Sequence, residues 1–321
     1  MNNNLFNNIV NNYKSIMDKD GNNLNMNSII ISDAVGNYFK YLFVKEDLLH
    51  PVRSVCKSIV SMCYGKIMYN SDFLYNGEKL TMDTYIWPIL KNVCNLTQKN
   101  NEEKLEKLTF FHLFTHSIGF DVKLLKSKDI KNIDPKTYID MVINTPLVYE
   151  PGNYFLYSNA APFLLSVIFQ EITGYNLADF ANEYIFSKLG ITEYKWRNYD
   201  KYCAGATGLE LKSDDLHKIA LLISNDGLWN DEQIVPYEWM KEMKTIKVLT
   251  PSKYDVKRVF PKYGYGLLMW ICGPEENSNY FIDGSDGQYI IIIPSKKLVI
   301  SILANQKDMK PITVCLKDLL D

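Results

Sequence analysis

The 321-residue sequence contains no Cys-x-x-Cys pair, no Gly-x-Ser-x-Gly, no His-Glu-x-x-His and no apolar stretch of bilayer-spanning length. Each absence removes a class of function. Without paired cysteines there is no redox or zinc-ribbon signature, and the six thiols (Cys56, Cys63, Cys94, Cys203, Cys272, Cys315) read as reduced and mostly buried, with no disulfides. Without Gly-x-Ser-x-Gly the strained elbow that presents the serine of a Ser-His-Asp hydrolase is missing. His112 and His116 stand four apart, but the tract reads His-Leu-Phe-Thr-His with no Glu after the first His, so no metal is predicted. The strongest apolar tract, residues 289–304, is interrupted by Pro294-Ser295-Lys296-Lys297 and reads as two strands and a turn, so no membrane span is expected.

Charge of one sign is also lacking. Lys and Arg number 35 against 37 Asp and Glu, a net charge of −2, and the densest cationic cluster, residues 123–136, is broken by Asp and Ile. A solvated loop accounts for it better than a phosphate-binding surface, and no nucleic-acid partner is predicted. Gly205-Ala206-Thr207-Gly208 is not followed by the pattern of a phosphate loop. The Asn-rich start has no basic segment, unbroken apolar core or small-residue cleavage site, which predicts a cytoplasmic chain.

What is present is an ordinary globular composition, 47% hydrophobic and 22% charged, long enough to bury a large core without metals or disulfides. Leu5, Phe6, Ile9, Val10, Tyr13, Ile16 and Met17 predict a short leading helix, followed by a hairpin from residues 28–31 and 38–44 around Gly36-Asn37. Apolar positions on a helical repeat predict a mostly buried helix over 54–68. Further helices are predicted at 102–114, 135–144, 160–173, 177–189, 213–225 and 236–243. Gly174 and Gly190 stand where helix ends favour positive φ, and Ser213-Asp214-Asp215 supplies a capped, acidic first turn. Strands return at 264–271, 278–283, 288–294 and 298–304 before a terminal helix over 311–320. The pattern predicts an α+β fold: an antiparallel sheet of about five strands built from residues 1–65 and 246–321, flanked by helices, with residues 66–245 as an inserted mainly helical region, the whole forming one catalytic unit.

Three segments could carry chemistry. The first is Ser54-Val55-Cys56-Lys57, the single Ser-x-x-Lys in the chain. Residues three apart share a helix face, so hydroxyl and amine can meet. A lysine serves as a base only when burial lowers its pKa, and no second charge follows Lys57 until Lys66. The simpler reading is that Ser54 caps the helix while Lys57 reaches outward to solvent. The second segment, Tyr157-Ser158-Asn159, opens an apolar helix: a phenol there can relay protons, and Asn159 can hold a substrate amide or orient a lysine. The third, Asp283-Gly284-Ser285-Asp286-Gly287-Gln288 between two strands, either lets a substrate approach backbone amides or is only a hairpin turn.

In order and surroundings these elements resemble the serine β-lactamase and penicillin-binding-protein superfamily, in its class C-like branch with related esterases and 6-aminohexanoate-dimer hydrolases. The resemblance runs through residues 53–58, Leu113-Phe114-Thr115-His116-Ser117-Ile118-Gly119, Pro151-Gly152, Tyr157-Ser158-Asn159-Ala160, Leu189-Gly190-Ile191-Thr192, residues 208–216 and Tyr263-Gly264-Tyr265-Gly266. It implies a β-lactamase/transpeptidase-like fold and cofactor-free acyl transfer to water. Ser54 would be the nucleophile, Lys57 the base and Tyr157 the proton shuttle. Asn159, Asp283, Gly284, Ser285 and Gln288 would contact substrate, with the amides of Ser54 and Ser285 as oxyanion hole. The expected partner is a small amide, peptide or ester. One departure stands out: where penicillin-binding relatives carry Lys-Thr-Gly, this chain reads Ile282-Asp283-Gly284, so the cation that would meet a penicillin carboxylate is missing and an Asp in its place could favour a cationic substrate group. A β-lactamase or D,D-peptidase, and a non-catalytic sensor or binding protein of the same fold, are the alternatives.

Overall fold

A computed structural model of the chain describes residues 1–254 and 258–320. Its centre is an eight-stranded sheet, antiparallel throughout. In chain order the strands are β1 (Met26–Asp33), β2 (Tyr38–Leu42), β3 (Val248–Leu249), β4 (Gly264–Tyr265), β5 (Trp270–Ile271), β6 (Tyr280–Gly284), β7 (Gln288–Ile293) and β8 (Leu298–Ala304). They lie side by side as β3-β4-β5-β6-β7-β8-β1-β2. The sheet joins both ends of the chain, with Ile29 of β1 opposite Ile302 of β8.

The sheet has eight strands where about five were expected: the short strand Val248–Leu249 adds an edge, and the stretch over 264–271 is not one strand. It folds back on itself as β4 and β5, with Leu268 at φ 64°. A Cβ at Gly266 would collide with the carbonyl oxygen of Met243, so the chain passes there only without a side chain.

Helices cover both faces. The leading helix α1 (Asn3–Ser15) buries Phe6, Ile9, Val10 and Tyr13, and the Tyr13 hydroxyl donates to the carbonyl of Ile312 in the terminal helix Lys310–Val314 at 2.9 Å. α2 (Cys56–Met68) leaves only Lys66 partly exposed, which makes it the spine of the molecule. It is tied to α3 (Ala160–Thr173) by the Tyr64 hydroxyl, which donates to the Leu165 carbonyl at 2.7 Å. α4 (Ser213–Ser224) packs on β1, β7 and β8, where His217 bonds Ser301 of β8 at 2.9 Å and also meets Ser32 of β1. With helices on both faces, β7 and β8 are buried at every position.

Two predicted helices are subdivided. The segment over 102–114 is Glu102–Glu106 and Phe110–Phe114, separated where Thr109 is extended and His112 closes a capping box with it. The segment over 177–189 starts as Leu177–Ala181 and widens into a π turn over Asn182–Phe186. Gly174 and Gly190 have φ of 76° and 64°, as their positions at helix ends suggested.

Candidate active site

The chain reaches the site through a single 3₁₀ turn, Arg53–Val55, which runs directly into α2. No side chain caps this end, so the simpler role for Ser54 as a helix cap does not apply. Arg53 has φ of 53°, a left-handed conformation that costs energy in a residue with a Cβ. Its guanidinium meets the Asp286 carboxylate at 3.1 Å.

Lys57 lies one turn on, and it does not reach for solvent: 1% of it is exposed. Its Nζ donates to Ser54 Oγ at 2.7 Å, Asn159 Oδ1 at 3.1 Å and the Ala206 carbonyl at 2.8 Å. Burial pushes the ammonium down to about 8, against the smaller opposing influence of Cys56 and Asp283. Asn159 is itself fixed, donating through Nδ2 to the Leu125 carbonyl at 2.9 Å. The three acceptors match the three protons of an ammonium. Once one proton leaves, the amine can keep Asn159 and Ala206 as acceptors and turn its lone pair toward the Ser54 hydroxyl.

Tyr157, a hundred residues away in sequence, completes the cluster. Its phenol is close enough to the Ser54 side chain for that hydroxyl to oppose in part the upward push of burial on its pKa. The Lys57 ammonium sits 5.1 Å from its ring centroid. The ring is clasped between His116, at 4.8 Å between centroids, and Trp270, stacked at 5.2 Å with 30° between planes. Burial first, and the Asp283 carboxylate second, hold the phenol above its ordinary pKa, so it stays protonated. His116 is buried in a left-handed conformation (φ 53°), and burial together with Lys57 keeps its imidazole neutral. Its role is local: its carbonyl accepts from the Leu156 amide at 2.9 Å and its Nδ1 from the Ser158 amide at 3.5 Å, anchoring the segment that carries Tyr157.

The opposite wall is the β6–β7 hairpin. Gly284 pairs with Gln288 across it, and Asp286 and Gly287 turn the chain with φ of 74° and 97°. Gly284 presses on the turn that holds Ser54: a Cβ there would stand 2.7 Å from the Val52 carbonyl oxygen and 2.8 Å from Arg53 Cβ. The missing side chain is what lets the strand that leads to Ser285 close on the segment that holds Ser54.

Two residues expected to meet substrate are committed elsewhere. Gln288 is fully buried and its Nε2 donates to the Ala304 carbonyl at 2.6 Å, so it joins β7 to the end of β8 instead of facing the cleft. Asp283 is not a free carboxylate awaiting a cationic substrate. Its Oδ2 pairs with Lys262 Nζ at 2.7 Å and its Oδ1 accepts from Trp270 Nε1 at 2.9 Å. A cation therefore does stand beside this strand, supplied from outside the motif. Lys262 escaped the sequence reading because no spacing rule links it to position 283. The signal at Trp270 was weak too, since an aromatic in a strand is ordinary core.

A cavity of about 700 Å³ lies between the terminal helix and β6–β7, with Phe260, Phe281 and Tyr289 among its walls. Of the cluster only Asp283 lines it; Ser54, Lys57 and Tyr157 are not among its walls.

The family model for beta-lactamases matches residues 34–313. The chain belongs to the beta-lactamase family. A Salmonella paratyphi A protein provisionally named D-alanyl-D-alanine carboxypeptidase is 24% identical over 203 residues, 60% of this chain and 45% of that protein. The chain thus spans about half the length of the curated relatives it matches. Among solved structures, a Bacillus anthracis protein provisionally named 6-aminohexanoate-dimer hydrolase superposes with a TM-score of 0.73 at 18% identity, over 92% of this chain and 78% of that one. The octameric penicillin-binding protein homologue from Pyrococcus abyssi gives 0.74 at 19% identity, over 98% and 76%. The beta-lactamase/D-alanine carboxypeptidase from Pseudomonas syringae gives 0.69 at 17% identity, over 99% and 98%. At these identities the structural likenesses establish the shared fold, antiparallel sheet with flanking helices. No helix among the described residues is long and apolar enough to cross a membrane.

Proposed function

We propose that the chain is a serine hydrolase that forms an acyl-enzyme on Ser54 and acts on a small amide, peptide or ester. The observation that carries this reading is the 2.7 Å contact between Ser54 Oγ and the buried Lys57 amine. With its pKa brought down to about 8, Lys57 is neutral in roughly one molecule in ten at pH 7, enough to take the Ser54 proton as the hydroxyl attacks. Tyr157, held protonated, is suited to hand a proton to the leaving group. When water attacks the acyl-enzyme, the tyrosinate left by that transfer takes the water proton, and the Lys57 ammonium returns its proton to Ser54 Oγ as the ester bond breaks. The amides of Ser54 and Ser285, on the two segments that Gly284 brings together, would hold the oxyanion. The sheet region, residues 1–65 and 246–321, and the helical region, residues 66–245, would act as one catalytic unit around this cleft.

A fluorophosphonate probe tests the reading directly. It should label the wild-type chain at Ser54 and leave Ser54→Ala unlabelled; absence of wild-type labelling would favour a binding or sensor protein that keeps the fold without the chemistry. Labelling with no turnover of any ester or amide would point to a sensor that stops at the acyl-enzyme. The second enzymatic reading, a D,D-peptidase or β-lactamase, is favoured by the name of the Salmonella relative. It is disfavoured by Ile282 in place of a strand lysine and by the commitment of Lys262 to Asp283. Nitrocefin and a D-alanyl-D-alanine peptide, run beside p-nitrophenyl esters and short ω-amino-acid oligomers, separate the two.

A further inference from the structure

We propose that Lys262 is a positioning residue of this site: its ion pair with Asp283 holds the Trp270 indole against the Tyr157 ring and neutralises the carboxylate that lies beside the cluster. The inference rests on the hydrolase reading and extends it to a residue outside every motif of the family resemblance.

The geometry is a relay of four side chains. Lys262 Nζ contacts Asp283 Oδ2 at 2.7 Å and lies 4.0 Å from the centroid of the Trp270 ring. Asp283 in turn accepts from the same indole through Oδ1 at 2.9 Å. Trp270 is thus held at its N–H edge by the carboxylate and at its face by the ammonium. Its ring stacks on Tyr157 at 5.2 Å, and Tyr265 packs edge-on to the indole at 4.6 Å. The side chains of Lys262 and Asp283 are only 8% and 12% exposed, so the pair is sheltered from solvent screening. A surface ion pair would set nothing, whereas this one fixes the plane on which the phenol rests.

The charge matters as well as the packing. Among the described residues, the groups facing Lys57 are Cys56, Asp283, His116 and Tyr157; those facing Tyr157 are Ser54, Cys56, Asp283, Tyr254, Tyr265, His116 and Lys57. Lys262 itself faces Asp283, with Arg258 and Lys123 as like charges, and Asp283 also faces Tyr265 and Tyr289. Among the described residues, Asp283 is the one carboxylate that acts on both Lys57 and Tyr157. It favours the protonated form of both, which opposes the removal of a proton from Lys57. Lys262 weakens that influence by pairing with it. Without the pair, the base would be available only at higher pH.

The test is the pH dependence of the fluorophosphonate labelling rate, which needs no knowledge of the substrate, in wild type, Lys262→Met, Asp283→Asn and the double variant. In Lys262→Met the uncompensated carboxylate favours the Lys57 ammonium, so the rise in rate should move to higher pH by roughly half a unit or more, and the plateau should fall. In Asp283→Asn the rise should move to lower pH. The double variant, with neither charge, should also rise at lower pH than Lys262→Met. If Lys262→Met does not fold, Asp283→Asn decides alone: a downward shift supports the proposal and no shift overturns it. A purely structural role would lower the plateau and leave the pH of the rise unchanged in both single variants, and that result overturns the proposal while labelling of Ser54 persists. Wild-type chain that takes no label would instead overturn the hydrolase reading, and the inference with it.

Discussion

The guanidinium of Arg53 meets the carboxylate of Asp286 at 3.1 Å, tying the turn that precedes Ser54 to the hairpin loop that carries Ser285. Both partners are left-handed, with φ of 53° and 74°, and both are about one-third exposed. A pair this accessible adds about 0–1 kcal/mol to folding. What it constrains is the distance between the two amides proposed to bind the oxyanion. Arg53→Ala or Asp286→Ala should therefore lower ester turnover about tenfold, since full loss of one oxyanion donor costs more. Melting temperature should change little. Equal losses of turnover and stability would show that the pair serves only the fold.

Lys57 should govern the acid side of the activity profile. With burial bringing its pKa to about 8, the free base, and with it kcat/KM, should rise through that pH. Lys57→Met should lower the labelling rate by about a thousandfold; it keeps the length of the side chain, and it should also lower the melting temperature because Asn159 Oδ1 and the Ala206 carbonyl lose their donor. A rise centred near the ordinary histidine range would point to a different base.

Tyr157→Phe keeps the ring between His116 and Trp270 and removes only the hydroxyl. It should cost about a hundredfold in turnover and little in melting temperature. Replacement by Ala, which also empties the stack, should cost stability as well.

Gly284→Ala should damage activity more than its size suggests. Its Cβ would fall 2.7 Å from the Val52 carbonyl oxygen and 2.8 Å from Arg53 Cβ, both at the turn that enters the site. That turn must move, at a stability cost of about 1–3 kcal/mol, and Ser54 moves with it. Unchanged turnover would show that the closeness of these segments has no bearing on chemistry.

Acid should destabilise the fold through His217. Burial between β1, β8 and α4 lowers its pKa from 6.5 to about 4. The unfolded chain takes up a proton near the ordinary value while the folded chain does not, so acidification through this window favours unfolding, by up to about 3 kcal/mol. Melting temperature measured from pH 7 to 4 should fall. His217→Gln should begin lower, having lost a bond to Ser32 or Ser301, and fall less steeply; parallel curves would contradict the assignment.

What the sequence determined by itself was local. Periodicity placed α1, α2 and α3, and turn chemistry placed Gly36, Gly174 and Gly190, because these depend on neighbours within a few residues. The pairing of Ser54 with Lys57 was legible for the same reason: residues three apart share one helical face wherever the helix lies. The meeting of Tyr157 and Asn159 with that pair was only suggested, by motif order. The tertiary structure decided what depends on contacts between distant segments. Gln288 turned inward to the Ala304 carbonyl, Asp283 was claimed by Lys262 and Trp270, and one expected strand folded into two beside Met243. Whether a carboxylate is free or paired is set by which chain segment packs against it, and the residue that pairs with Asp283 stands 21 positions away with no periodic relation to it.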